Sequence, residues 1–296
     1  MTTSPHPAVM AVEQEGADGP AGVTRGVAGR LPYLAAGAGA PLVFLAGLSP
    51  EAGVDSKTMQ RVNVASVKPL AAQRRVLFFN RRPGLPTGMP MDEIASEHAH
   101  AIRAVLGQAV DVLGVSTGGS IAQQLAADHP DVVRRLVLIS TACRLGPGGR
   151  MLQRRVAAHI RRGANRRALA VMTGGLVPPR RGRIAASAAA WLIAPRLFPK
   201  DDLADMATTI EAEDTFDLAR CRNPISAPTL ILAGGKDPFY SPALFAETAR
   251  LIPSSRLRVF AARGHITVTT HPETTTEVQR FLDPTTSNQS RHAQSH

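Results

Sequence analysis

The stretch VDVLGVSTGGSIAQQLAADHP, residues 110–130, runs from a short apolar segment through a glycine-flanked serine into an amphipathic one. Val110 to Gly114 has the character of a strand buried on both faces. Thr117 to Ala127 has helical spacing and stops before His129-Pro130, since a proline disfavours helical backbone in the residue before it. The unit is strand, tight turn, helix, and the turn is Gly114-Val115-Ser116-Thr117-Gly118. So sharp a turn leaves no space for side chains two residues either side of Ser116, which accounts for Gly114 and Gly118. It also sets Ser116 at a helix start, where the dipole favours developing negative charge. A bare Gly-x-Ser-x-Gly arises by chance on the order of 0.1 times in a chain of this length, so the flanking strand and helix carry the inference.

Outward from this unit, short apolar runs alternate with longer helical patterns, which predicts a mostly parallel central sheet with helices on both faces. Strands are expected at Pro41 to Ala46, Arg75 to Asn80, Val110 to Gly114, Arg135 to Ser140, Thr229 to Ala233 and Arg256 to Phe260. A helix over Met91 to Leu106 opens on an acidic first turn, Asp92 and Glu93. From Cys143 to Cys221 the strand rhythm stops and helical segments with Gly and Pro breaks follow, which predicts an inserted helical cap over 143–221 between core segments 23–142 and 222–283. Segments 1–22 and 284–296 lack apolar periodicity and are expected to be disordered.

Acyl transfer to water requires a nucleophile, a base, a group that orients the base, and donors for the oxyanion. Ser116 is the candidate nucleophile. His265 follows the strand ending at Phe260 in VFAARGHITV and is the candidate base; the other eight histidines fall in the ends, within helices or before prolines. Asp237, after the strand Thr229 to Ala233 in TLILAGGKDPFYS, is the candidate orienting acid, although Gly-Lys-Asp-Pro is also good turn chemistry. Backbone N–H groups of Thr117 and Leu48 are the candidate oxyanion donors, with Gly47 permitting close approach.

The order Ser116, Asp237, His265, with an insertion between the first two, resembles the α/β-hydrolase superfamily over roughly residues 28 to 283. The elbow, the GKDP acid turn and the GH loop carry the resemblance. It implies a sheet of about eight strands, a Ser-His-Asp hydrolytic mechanism on a small-molecule acyl substrate (ester, thioester or lactone), and no cofactor or metal. Many members have His-Gly at the oxyanion loop, whereas this chain has Ala46-Gly47, so the histidine that braces that loop is missing. A serine nucleophile speaks against the dehalogenase and epoxide-hydrolase branches. The GVSTGG elbow also resembles cofactor-free haloperoxidase-like perhydrolases, and acyl transfer or ligand binding without turnover are further readings of the same fold.

The net charge is +11, with only four lysines among 34 basic residues. Arg, Ala, Gly and Pro enrichment explains this more simply than nucleic-acid binding, because no recognised nucleic-acid motif is present and only 4% of residues are aromatic. The insertion is electrostatically lopsided. Val132 to Lys200 holds fifteen basic residues and no acid, while Asp201 to Asp217 holds seven acids and no base, which predicts pairing between its halves or a basic mouth for acidic substrates. Its apolar residues Met151, Leu152, Val156, Met172, Leu176, Trp191, Leu192 and Phe198 divide between packing and pocket, with Trp191 the first candidate pocket wall. No segment has the length and apolarity to span a bilayer, and no secretory leader pattern is present, so a cytoplasmic protein is expected. The two cysteines, Cys143 and Cys221, are expected as reduced thiols, although they flank the insertion where a disulfide could lock it.

Overall fold

The structure, a computed structural model, describes residues 12–15, 22–176, 182, 184, 186–191 and 203–283. The tail expected over 284–296 and most of the N-terminal segment lie outside them. Nine strands form one sheet: β1 (Val12–Glu15), β2 (Val23–Ala28), β3 (Leu31–Ala36), β4 (Pro41–Leu45), β5 (Arg75–Phe79), β6 (Val110–Val115), β7 (Val133–Ile139), β8 (Thr229–Gly234) and β9 (Ser255–Phe260), in the order β1-β2-β3-β5-β4-β6-β7-β8-β9. Neighbours from β5 onward are parallel, and β1, β2, β3 and β5 pair antiparallel.

The N-terminal edge holds strands that the sequence reading did not name. Val12–Glu15, within segment 1–22, pairs with Thr24 to Val27 as the outermost of nine strands, in keeping with the expected sheet of about eight. Four residues carry too little periodicity to be read alone, and the open backbone of β2 supplies the partners that order them. The β2–β3 hairpin also escapes sequence reading, because Gly26 and Pro32 interrupt its pattern. Tyr33 fills the space over Gly26, where an added Cβ would sit 2.3 Å from the ring.

Helices α1 (Lys57–Ala71) and α9 (Pro272–Leu282) cover one sheet face, over a cluster including Leu42, Phe78, Leu113 and Leu230. On the other face α2 (Met91–Leu106), α3 (Thr117–Asp128) and α7 (Pro242–Leu251) enclose Leu77, Ile94, Val112, Leu125 and Phe245. The short α8 (His265–Thr269) lies between β9 and α9. Because β4 is flanked by β5 on one side and β6 on the other, the chain reverses its progress across the sheet there. Crevices in open α/β sheets form at the carboxyl ends of strands at such a reversal, and here those ends carry Gly47 and Ser116.

Between β7 and β8 the described residues include α4 (Pro147–Arg161), α5 (Asn165–Leu176), helical residues 186–191 and α6 (Leu203–Thr215). Val156, Ile160, Leu169, Met206 and Ile210 form a separate apolar cluster. The basic and acidic halves pair across it: Arg161 with Glu211 at 2.6 Å and Arg154 with Asp214 at 2.8 Å. Cys143 and Cys221 are both free thiols.

Candidate active site

At the end of β6 the chain turns into α3 through Ser116, whose φ of 51° is one of two positive values at non-glycine residues among the described residues. Only crowding on all sides sustains such a conformation. A Cβ added to Gly114 would lie 2.5 Å from the Gly118 carbonyl oxygen, and one on Gly118 would lie 2.2 Å from that of Leu45. These contacts bring β4, β6 and α3 closer than alanine would permit.

Ser116 Oγ lies 3.0 Å from Nε2 of His265, and His265 Nδ1 lies 2.7 Å from Oδ2 of Asp237. The Asp237 side chain is fully buried and that of His265 nearly so. The other carboxylate oxygen of Asp237 accepts from the Phe239 and Tyr240 amides at 2.8 and 3.2 Å, so the acid turn fixes its own carboxylate. With Nδ1 facing a carboxylate, the imidazole carries its proton there and presents Nε2 as an acceptor to Ser116. Phe239 tilts against the imidazole at 4.6 Å between centroids, and Tyr240 stacks at 6.0 Å. Burial, with Glu213 and Asp237 nearby, holds the Tyr240 phenol well above its ordinary pKa, so it stays neutral.

Of the candidate oxyanion donors, Leu48 borders the same space, and Thr117 follows Ser116 directly in the chain. Gly47 and Leu48 line a cavity of about 140 Å³ together with Ser116 and His265. Among the described residues neither the Leu48 nor the Thr117 amide has an acceptor. A Cβ on Gly47 would lie 3.5 Å from that of Ser116. With Ala46 where many family members have histidine, the two residues just after β5 brace this loop. Arg81 Nη2 donates to the Ser49 carbonyl at 2.8 Å, and Asn80 Nδ2 donates to the Glu51 and Gly53 carbonyls, both at 2.9 Å.

Leu152, Val156, Met172 and Leu176 of the insertion line this cavity. Trp191 does not do so among the described residues: it is 43% exposed and lies under the Arg166 guanidinium at 5.3 Å. Met151 also faces solvent, while Leu192 and Phe198 fall outside the described residues.

Two supporting residues had no signal in the sequence. Ser140, the second non-glycine residue with φ of 51°, donates from Oγ to the His265 carbonyl at 2.8 Å. Glu213 is fully buried on α6 and accepts from Thr117 Oγ1 at 2.7 Å, Ser120 Oγ at 2.8 Å and Gln153 Nε2 at 2.9 Å. It stood among seven acids expected to meet arginines, and nothing in one sequence sets apart the one that meets hydroxyls.

The model of the alpha/beta hydrolase family matches residues 42–278. Polyketide synthase ThaQ of Burkholderia thailandensis is 30% identical over 276 residues, 86% of this chain, which spans only 12% of that synthase. A pimeloyl-[acyl-carrier protein] methyl ester esterase of Neisseria meningitidis is 29% identical over 202 residues, covering 64% of this chain and 74% of the esterase. The crystal structure of the enol-lactonase from Burkholderia xenovorans LB400 superposes with a TM-score of 0.66 at 23% identity, covering 87% of this chain and 96% of that one.

Proposed function

The chain belongs to the alpha/beta hydrolase family, and from that premise we propose that it cleaves carboxylic esters through an acyl-enzyme on Ser116. The hydrogen-bonded line from Asp237 through His265 to Ser116, at 2.7 and 3.0 Å, carries this reading. Ser116 Oγ attacks the ester carbonyl as His265 Nε2 takes its proton, and Asp237 stabilises the imidazolium that forms. The Leu48 and Thr117 amides receive the oxyanion. Collapse of the tetrahedral adduct expels the alcohol, which takes the proton from His265; water, deprotonated by the same nitrogen, then attacks the acyl-enzyme and releases the acid. Ser116→Ala is expected to abolish p-nitrophenyl butyrate turnover and fluorophosphonate labelling, and undiminished hydrolysis in that variant overturns the assignment.

A second reading concerns how the ester arrives. Arg155, Arg162, Arg166 and Arg167 are exposed on α4, its C-terminal turn and α5, and none has an acidic partner among the described residues. Such a basic face suits an acidic carrier that presents an acyl group on a tether, and one relative acts, by name, on an acyl-carrier protein ester. Esters borne on acyl-carrier protein should then be turned over faster than the free methyl ester at low salt, and the advantage should fall as salt rises. Equal rates, insensitive to salt, exclude this reading.

A further inference from the structure

A second cavity, of about 530 Å³, lies beyond the compartment that holds Ser116, between α1 on one side and α8 and α9 on the other. The two compartments share Gly47, Leu48, Val115, Ile266 and Thr269, so their walls are continuous. Phe44, Phe78, Leu113 and Ile139 at the ends of four strands form its floor. Helix α1 presents Val62, Ser66 and Pro69 along its length, at the i, i+4, i+7 spacing of one face. In a protein of net charge +11, no charged residue is among the described residues that line it.

Val62, 55% exposed, and Ile266, 47% exposed, are two large apolar side chains left open to water at this cavity. Protein interiors are close-packed, and an uncovered apolar wall next to a reactive centre is what a ligand covers. A phosphate or carboxylate would find no ion-pair partner there, whereas a hydrocarbon would meet the Phe44 and Phe78 rings, the branched side chains of Val62, Leu113 and Ile266, and threonine methyls. The compartment at Ser116 accommodates a small group only, so a longer substituent must leave it, and the shared wall at Val115 and Ile266 opens the way.

We propose that this second cavity binds an unbranched aliphatic chain of the substrate, and that it makes the protein selective for long-chain over short-chain esters. The proposal rests on the reading of Ser116 as nucleophile. Both the acyl and the alkoxy side of an ester can supply such a chain, and two substrate series separate them: p-nitrophenyl esters from acetate to dodecanoate, and acetates of alcohols from ethanol to dodecanol.

For the wild type, kcat/KM should rise at least tenfold from the two-carbon to the eight-carbon member of one series. Ser66→Phe and Thr275→Phe, on opposite walls and away from the catalytic groups, should remove that gain while leaving p-nitrophenyl acetate within twofold. Loss confined to the first series places the acyl chain in the cavity, and loss confined to the second places the alkoxy chain there. Folding of each variant is checked by its acetate rate; where the acyl series is the one affected, dodecanoate binding to Ser116→Ala, measured by calorimetry, should weaken tenfold when Thr275→Phe is added, and where the alkoxy series is affected dodecanol binding should weaken instead. Unchanged chain-length profiles in both series overturn the proposal even if Ser116→Ala is inactive. Acetate turnover that survives in Ser116→Ala overturns the nucleophile assignment instead.

Discussion

Glu213 and Thr117 meet at 2.7 Å across the junction of the insertion and the core, joining the last inserted helix to the first residue of α3. The carboxylate is fully buried and accepts from four neutral side chains, Tyr240 Oη being the most distant at 3.4 Å, and among the described residues no cation pairs with it. Removing it strands Thr117, Ser120 and Gln153 and takes an acceptor from Tyr240. Glu213→Ala is therefore expected to cost about 3 kcal/mol of stability, because each buried donor left unpaired loses its compensation for water. Glu213→Gln retains one acceptor oxygen and should cost less. Urea unfolding of both variants orders them, and equal midpoints for Ala and wild type would show that the contact carries no weight.

Asp237→Asn keeps the shape of the acid turn but removes the charge that faces His265 Nδ1. On the proposed mechanism kcat for p-nitrophenyl butyrate should fall about ten-thousandfold, with the stability nearly retained. Steady-state kinetics and a melting curve on the same preparation check both halves.

At the amino end of β6, Asp111 is fully buried and accepts from Arg74 at 2.9 Å and Arg134 at 2.7 Å. Arg74 is itself only 3% exposed. Asp111→Ala leaves the Arg74 guanidinium with Asp283 alone, at 2.5 Å, and should destabilise by about 2–3 kcal/mol, short of the full cost of an unpaired buried charge. By contrast Arg103 and Asp131 pair in the open, 41% and 60% exposed, and Arg103→Ala should cost under about 1 kcal/mol. The gap between the two denaturation midpoints is the test.

Burial pushes the Cys221 thiol up to about 11 from an ordinary value of 9.0, with Asp128 and Asp217 adding to it. The unfolded chain then releases a proton from pH 9 upward that the folded chain keeps, so stability is full below pH 9 and declines as pH rises towards 11. Cys221→Ser should lessen that decline. At pH 7.5 iodoacetamide should label neither cysteine quickly in the folded protein, since burial also raises the Cys143 thiol; rapid labelling of Cys221 counts against the burial.

Much of the core could be read from the chain alone because its strands are apolar on both faces and its helices have clear ends. Met91–Leu106 appears at both boundaries as expected, and strands β4 to β9 appear within a residue or two of theirs. Helix α1 was not foreseen, since Pro69 lies inside it and its composition is polar. For the site, Ser116, Asp237 and His265 stand on separate loops that the parallel topology brings together, and each loop has a local signature. Glu213, Ser140 and Arg81 act through contacts between distant segments, which leave no local pattern.

Strands β7 and β8 are neighbours in the sheet, so the polypeptide that departs from one and returns to the other has its two ends side by side. Such a segment is a natural unit of exchange: replacing it need not alter the spacing of the strands that carry the reacting groups. Where the replacement is cut decides the outcome. A chimera that swaps residues 147–200 but keeps Leu203–Thr215 retains the carboxylate under α3, whereas one that swaps through Thr215 imports specificity and loses an anchor of the elbow.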